Sequence, residues 1–247
     1  FELYYQPQLD LSSGKVIGVE ALIRWNRPGH GVVAPGHFIG AAEDSGLIRP
    51  LGRWVLREAC RQAAQWRTAG WTGLKVAVNL SAVQFRHQSI RWDVFDALEE
   101  SQLPAECLEL ELTESLLLAD DGGVSSTLSS WKEAGIQLAI DDFGTGYSSL
   151  SYLKRLAIDK LKIDRSFVSN LLEDEQDRYI VRAILQMAHS LKISTVAEGI
   201  EHPQIGEQLA QLGCNSGQGY LYAKPLPAAE FMAWLREQKF TPLTGQP

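Results

Sequence analysis

Six oxygen-bearing side chains and one lysine stand at or just beyond the ends of short β-like segments. They are Glu20, Asn79, Glu111, Asp141, Asp142 and Glu198, with Lys162. Crowded carboxylates repel one another unless cations neutralise them. Carboxylate and amide oxygens suit Mg²⁺ or Mn²⁺ better than zinc. The pattern therefore predicts a site for divalent cations, provided that the segment ends meet in space.

Stretches of helix length separate most of the β-like segments that carry these residues. The segments are VIGVEALIR, KVAVNLS, LELELTES, QLAIDDFG, DKLKID and STVAEGI. Such alternation predicts a parallel sheet covered by helices, and the chain of 247 residues has the length of one (βα)8 barrel. The carboxyl ends of barrel strands meet at one rim, where active sites lie. We therefore expect a single domain over residues 1–247.

The first two β-like segments predict one irregularity in this barrel. FELYYQPQL (1–9) and KVIGVEALIR (15–24) flank the turn-rich DLSSG (10–14), a pattern typical of a hairpin. The predicted fold is thus an α/β, modified (βα)8 TIM-type barrel with one antiparallel strand near the N-terminus. Helices are predicted over 51–70, 94–101, 122–135, 177–192, 203–213 and 228–238.

Strand periodicity directs several charged side chains toward the barrel interior. In LELELTES, Glu109 and Glu111 lie opposite the leucines, because successive side chains of a strand point to opposite faces. Lys162 similarly lies opposite Leu161 and Ile163. A single acidic residue at a strand end is more often a helix N-cap or a solvated charge. The prediction of a metal site therefore depends on the coincidence across six strands.

Composition restricts the partners and the compartment. The formal net charge of −7 argues against a surface for polymeric nucleic acid, which normally needs a basic face. The three cysteines form neither a disulfide framework nor a zinc motif, so we expect a reducing, cytoplasmic compartment.

No apolar stretch approaches the length of a membrane span, and we expect no membrane contact by this domain. Because the chain begins at Phe1 inside a strand-like segment, we expect it to be a module of a longer signalling protein, which other domains could anchor to a membrane.

Eight motifs follow one another along nearly the whole chain, from Phe1 to about Leu235. They are YYQP, EALIRW, VNLS, ELTES, DDFGTGYSSL, LKIDRSFV, AEGIE and QGYLYAKP. In order and spacing they resemble the motifs of the EAL-domain family of cyclic-di-GMP phosphodiesterases. The resemblance implies two Mg²⁺ or Mn²⁺ ions and hydrolysis of cyclic di-GMP to linear pGpG. Ca²⁺, which is larger and looser in geometry, is expected to occupy the site and to inhibit the reaction.

The resemblance also implies a role for each candidate residue. Glu20, Asn79, Glu111 and Asp141 would bind one metal ion, and Asp141, Asp142 and Glu198 would surround the second. Lys162 would orient or activate the attacking water, and Glu20, Lys162 and Glu198 are the predicted catalytic residues. Substrate contacts are predicted for Gln6, Leu22, Arg24, Asp164 and Gln218, with Arg24 on a phosphate.

Two further acidic residues are predicted to support loops. By resemblance, Glu114 would hold the loop that follows the strand ending in DDFG, and Glu201 would lie near the second metal. The same loop leads to a segment near residues 148–157, through which we expect a symmetric homodimer.

Two alternative functions remain open from the sequence. One is a catalytically silent receptor that binds cyclic di-GMP; family members of that kind usually lack some metal ligands, whereas the set is intact here. The other is an enolase-like lyase, in which carboxylates hold Mg²⁺ and a lysine at a strand end removes a carbon-bound proton. The paired aspartates and Arg24 favour phosphodiester chemistry over that lyase.

Overall fold

The structure is a computed structural model that describes residues 1–87, 89–114, 116, 123–144, 153 and 156–238. Its strands are β1 (Glu2–Asp10), β2 (Val16–Arg27), β3 (Gly31–Val33), β4 (Lys75–Leu80), β5 (Leu108–Thr113), β6 (Gln137–Phe143), β7 (Lys160–Ile163), β8 (Ser194–Ala197), β9 (Ser216–Gly217) and β10 (Leu226–Pro227). Its α-helices are α1 (Ile39–Asp44), α2 (Ile48–Thr68), α3 (Ala82–Phe85), α4 (Ile90–Ser101), α5 (Gly123–Glu133), α6 (Arg165–Ser169), α7 (Glu175–Leu191), α8 (Pro203–Gln211) and α9 (Ala228–Glu237).

Eight of the strands in the described part of the chain close into a barrel. Their order is β1, β2, β4, β5, β6, β7, β8 and β9, and β9 pairs back with β1. All pairings from β2 round to β9 are parallel, whereas β1 is antiparallel to both of its neighbours. β3 forms a hairpin with the end of β2, and β10 pairs with β1. The predicted modified (βα)8 barrel with one antiparallel strand is confirmed.

Alternation along β5 separates the apolar core from the barrel interior. Leu108, Leu110 and Leu112 are fully buried in the apolar core, where each contributes about 2 kcal/mol of transfer free energy. Glu109 and Glu111 are also buried, and each forms an ion pair with a lysine of β7. The barrel wall is thus apolar toward the helices and charged toward its axis, which is what the periodicity of the sequence predicts.

Local capping explains one helix end and one helix start. The predicted helix 51–70 is α2, which ends before Gly70, a residue with φ of 102° that favours glycine. α7 begins two residues before its predicted start because the Asp174 side chain accepts hydrogen bonds from the backbone N–H groups of Gln176 and Asp177. The short helices α1, α3 and α6 escaped prediction, since their 4 to 6 residues are too few for a helical period to show. Among the described helices, none combines the length and the hydropathy that crossing a bilayer would need.

Candidate active site

Lys162 lies in the upper half of the barrel interior, the half nearer the carboxyl ends of the parallel strands. Its ammonium Nζ is 2.7 Å from Glu111 Oε2, 2.7 Å from Glu198 Oε1 and 2.9 Å from Asp141 Oδ1, and Glu20 Oε1 is 3.7 Å away. We call these four acidic residues the carboxylate cluster. Only 1 % of the Lys162 surface is exposed. Four carboxyl groups around one ammonium can carry an excess of negative charge.

Side-chain amides from two other parts of the barrel fix the orientation of Glu20. Asn79 Nδ2 donates to Glu20 Oε1 at 2.7 Å, and Gln218 Nε2 donates to Glu20 Oε2 at 2.5 Å. Gln218 Nε2 also donates to Gln6 Oε1, whose own amide donates to the carbonyl of Ala223. Gln218, which the sequence predicts as a substrate contact, is thus a buried partner of Glu20 in this structure, and Gln6, predicted likewise, is a buried partner of Gln218.

A break in the sheet brings two consecutive aspartates to the same site. The β6–β7 register shifts between Ile140 and Phe143, and Asp142 has φ of 53°, in the left-handed region. Asp141, Asp142 and Glu198 each place a carboxylate oxygen within 4.8 Å of the others, with Asp142 exposed. Such a group of three carboxylates could hold a divalent cation.

Burial makes ionisation of this site unfavourable. It raises the pKa of Glu198 to about 8, with the charges of Asp141 and Glu20 adding to the effect and Lys162 opposing it. Burial and the charge of Glu20 hold the pKa of Glu111 well above its ordinary value. Burial and Asp141 raise the pKa of Asp142 to about 6. The positive charge around these three carboxyl groups is therefore too small to stabilise their ionised forms.

The pKa shifts of Glu20 and Lys162 favour their charged forms. Burial acts against the carboxylate of Glu20, but Lys162 and the hydrogen bonds from Gln218 and Asn79 lower its pKa overall. Burial also acts against the ammonium of Lys162, yet the carboxylates around it raise its pKa well above the ordinary value. Glu111 adds one further sign of an incomplete site, because its Oε1 is buried with no hydrogen-bond partner among the described residues. The chemistry and charge of these donors fit divalent cations.

The predicted substrate contacts of β2 lie at the rim of the barrel. The Arg24 side chain is half-buried, and its guanidinium lies 5.6 Å from the ring centroid of Tyr4. Leu22 lines a cavity of about 600 Å³ together with Asn79 and Thr113. This cavity adjoins the carboxylate cluster through Asn79, which hydrogen-bonds Glu20.

The remaining predicted residues have different surroundings. Asp164 caps α6, where its side chain accepts hydrogen bonds from the backbone N–H and the hydroxyl of Ser166, and it also contacts Asp142. Glu114 is buried, and neither of its oxygens has a hydrogen-bond partner within the part of the chain that the structure describes. Glu201 is exposed. The predicted dimer segment lies outside the described residues at 148–152, 154 and 155.

The sequence patterns missed two features of the barrel. Lys160 and Glu109 form a buried ion pair below the carboxylate cluster, with a separation of 2.6 Å. The rim carries Tyr220, whose ring has the ammonium of Lys224 over it at 5.3 Å. The first could have been suspected from the repeated Lys-x-Lys and Glu-x-Glu spacings, whereas no local signal distinguishes an exposed tyrosine from an ordinary surface residue.

The amino-acid sequence is similar to one protein family and to curated proteins of that family. The family model described as EAL domain matches residues 1–225. The chain is 46 % identical over 231 residues, 94 % of its length, to the bifunctional diguanylate cyclase/cyclic di-GMP phosphodiesterase MucR of Pseudomonas aeruginosa, of which it covers 34 %. It is 42 % identical over 234 residues, 95 % of its length, to the cyclic di-GMP phosphodiesterase PdeR of Escherichia coli, of which it covers 35 %. The chain thus spans about a third of the length of these curated relatives.

A solved structure agrees with the sequence comparison. The PaMucR phosphodiesterase in complex with c-di-GMP superposes with a TM-score of 0.90 at 46 % identity, and the match covers 93 % of each chain. The overall fold is therefore shared with a protein whose structure holds c-di-GMP.

Proposed function

The chain belongs to the EAL domain family, and from this premise we propose that it hydrolyses cyclic di-GMP to linear pGpG in a reaction that depends on two Mg²⁺ or Mn²⁺ ions. The observation that carries the proposal is the excess of acidic groups around Lys162 at the carboxyl-end rim of the barrel. Active sites of (βα)8 barrels lie at that rim. An acidic protein that acts on a diester with two phosphates needs cations between its carboxylates and the substrate.

The proposal assigns the cations to two overlapping sets of ligands. By family resemblance, Glu20, Asn79, Glu111 and Asp141 would hold one. Asp141, Asp142 and Glu198, whose carboxylate oxygens lie within 4.8 Å of one another, would hold the other. When bound, such cations lower the pKa of a water molecule and neutralise charge that develops at the phosphorus.

Lys162 and Arg24 supply the fixed positive charge of the proposed reaction. The Lys162 ammonium lies among the ligands, so it can hydrogen-bond the attacking water and orient it toward the phosphorus. Arg24 presents a planar guanidinium at the rim, which can grip two phosphate oxygens. Glu20 and Glu198 complete the proposed catalytic set, because each contacts Lys162 and would also contact a cation.

The remaining residues would bind substrate or support loops. Leu22 and Asp164 would contact the bases or riboses from opposite sides of the rim. Gln6 and Gln218 would do so from the barrel wall, and Gln218 Oε1 is a buried acceptor with no hydrogen-bond partner among the described residues. Glu114 would support the loop after β6, and Glu201 would lie near the second cation.

One incubation tests the proposed function. The protein is mixed with cyclic di-GMP and Mg²⁺, and pGpG is followed by chromatography against a chelated control. Formation of pGpG only with Mg²⁺ supports the proposal. Binding of cyclic di-GMP without any turnover would instead indicate the silent receptor, and loss of binding as well would leave neither function standing. We also propose that the protein acts as a homodimer in the cytoplasm, which sedimentation and cell fractionation would test.

A further inference from the structure

A polar cavity lies at the end of the barrel opposite the carboxylate cluster. Its volume is about 570 Å³, and its lining includes the first residues of four parallel strands, which are Lys75, Gln137, Lys160 and Ser194. In ordinary (βα)8 barrels the interior is filled by layers of side chains in which Val, Ile and Leu dominate. Here the amino-terminal end of the barrel has polar side chains and open space, so it has room for a polar ligand.

The acidic groups at this cavity already have partners. Glu109 forms the buried ion pair with Lys160 at 2.6 Å. Asp159 forms an ion pair with Lys132. Asp10 accepts hydrogen bonds from two serine hydroxyls, at 2.6 and 2.7 Å. These contacts satisfy the carboxylates without a cation from outside the protein.

Two further lysines at the cavity form no ion pair within the part of the chain that the structure describes. The ammonium Nζ of Lys75 donates to the neutral Gln137 Oε1 at 2.9 Å. Lys192, which follows α7, lines the same cavity. With Lys132 and Lys160, the cavity and the ion pairs at its wall hold four ammonium groups and three carboxylates. The excess charge at this end of the barrel is therefore positive, whereas the carboxylate cluster has an excess of acidic groups.

Gln8 adds a hydrogen-bond donor that is not used. Its side chain lines the cavity and is 1 % exposed. Gln8 Oε1 lies 3.3 Å from the ammonium of Lys160, which orients the amide, and Gln8 Nε2 has no hydrogen-bond partner among the described residues. A buried donor without an acceptor is unfavourable. An anion with oxygen atoms, bound in this cavity, would supply the acceptor.

We propose that this cavity binds a small oxyanion of the phosphate class. Lysine ammonium groups bind phosphate as point charges, and Lys75, Lys192 and the amide of Gln8 offer donors to one. The site lies at the opposite end of the barrel from the proposed catalytic residues, so it does not depend on the proposed function. Free phosphate and the phosphate group of a mononucleotide share this chemistry, and the experiment distinguishes the two.

Calorimetry in excess chelator measures the binding of inorganic phosphate and, in a second arm, of guanosine monophosphate. The chelator keeps cations from the carboxylate cluster, where they could otherwise bind anions. The parent should bind one phosphate. Lys75→Gln and Lys192→Gln should each raise the Kd about tenfold, since each removes one charged donor. Both lysines are only partly buried, and thermal unfolding verifies that the variants are folded.

Two control variants remove a positive charge elsewhere. Arg182→Gln removes an exposed cation from α7, and Arg24→Gln removes the guanidinium at the rim. Both should bind phosphate as the parent does. Loss of phosphate binding in Arg24→Gln would place the anion at the rim and overturn the proposal. It is also overturned if the parent binds neither probe at millimolar concentration, or if both lysine variants bind as tightly as the parent.

The two probes identify the source of the oxyanion. Binding of phosphate alone indicates the free ion. Tighter binding of the nucleotide, weakened in both lysine variants, indicates the phosphate group of a nucleotide. Either result supports the site, and a nucleotide that binds equally well to both lysine variants contradicts it.

Discussion

The upper and lower halves of the barrel interior each hold a buried lysine, and the two lysines differ in how their charge is balanced. In the upper half, Lys162 faces the four members of the carboxylate cluster. In the lower half, Lys160 Nζ lies 2.6 Å from Glu109 Oε2 and 3.3 Å from Gln8 Oε1. The charges of the lower pair balance, since one ammonium meets one carboxylate. The upper cluster has acidic groups that further cations would have to balance.

The same two strands build both halves. β5 supplies Glu109 and Glu111, and β7 supplies Lys160 and Lys162. Ala139 of β6 lies between them in register, paired with Glu111 on one side and with Lys160 on the other. A buried charge is therefore no evidence of function by itself. The imbalance of charge at the carboxyl ends of the strands is what marks the candidate site, in keeping with the division of labour in (βα)8 barrels.

Removal of cations should have the largest effect, because it acts only on the unbalanced half. An excess of chelator should abolish hydrolysis of cyclic di-GMP, and added Mg²⁺ or Mn²⁺ should restore it. Ca²⁺ should bind and support little turnover, since its geometry is looser. Initial rates of pGpG formation across a metal titration provide the measurement, and full activity in chelator would contradict the two-metal mechanism.

Replacing the upper lysine should have the next largest effect. Lys162→Ala should lower kcat roughly 10³-fold, the range for one group that assists proton transfer at a nucleophile, and should leave substrate binding largely intact. Single-turnover rates and calorimetry with Mg²⁺ separate the two quantities. If binding is lost along with the rate, Lys162 is a ground-state contact and its assigned role is wrong.

Replacing the lower lysine should affect stability and spare chemistry. Lys160→Met leaves Glu109 buried without its cation and should lower the free energy of unfolding by about 3 kcal/mol. Adding Glu109→Gln removes the uncompensated charge and should recover much of that loss. Urea denaturation measures both effects, with kcat per folded molecule as the control. A large fall in kcat would show that the two halves are not separate in function.

Glu114 should give the smallest effect of the four, because it lies at the edge of the upper half. Glu114→Ala should weaken metal binding and activity about tenfold, as for a residue that supports ligands without being one. Metal titration measures the loss of metal binding, thermal unfolding checks that the barrel remains folded, and sedimentation tests whether the variant forms the proposed homodimer. A monomeric parent together with unchanged activity in the variant would argue against any link between this loop and self-association.

Sequence periodicity predicted the barrel and the inward direction of the charged residues because both are local properties of a strand. It predicted that Glu111 and Lys162 face the interior, and the structure brings them to 2.7 Å. The Lys-x-Lys and Glu-x-Glu spacings raise the possibility that Lys160 meets Glu109 but do not fix that pairing, since the contact depends on the register of β5 and β7 across an intervening strand. The register between two strands that are not neighbours cannot be predicted from either segment alone.

The amide contacts of Glu20 were missed for a related reason. Glu20 and Gln218 are 198 residues apart in the chain. Their side chains meet only because the barrel closes where β1 pairs with both β9 and β2. The family resemblance suggested a substrate contact for Gln218 but gave no information on its partner in the free protein.

The left-handed backbone of Asp142 has a consequence for how this chain balances folding against activity. In an unbroken strand the second of two aspartates would face away from the first. At φ of 53° the backbone avoids this, at a cost of about 1 kcal/mol that glycine would not incur. Asp142→Gly would relieve this backbone cost, and it would also remove a proposed cation ligand. Backbone geometry and the proposed chemistry therefore favour different residues at this position.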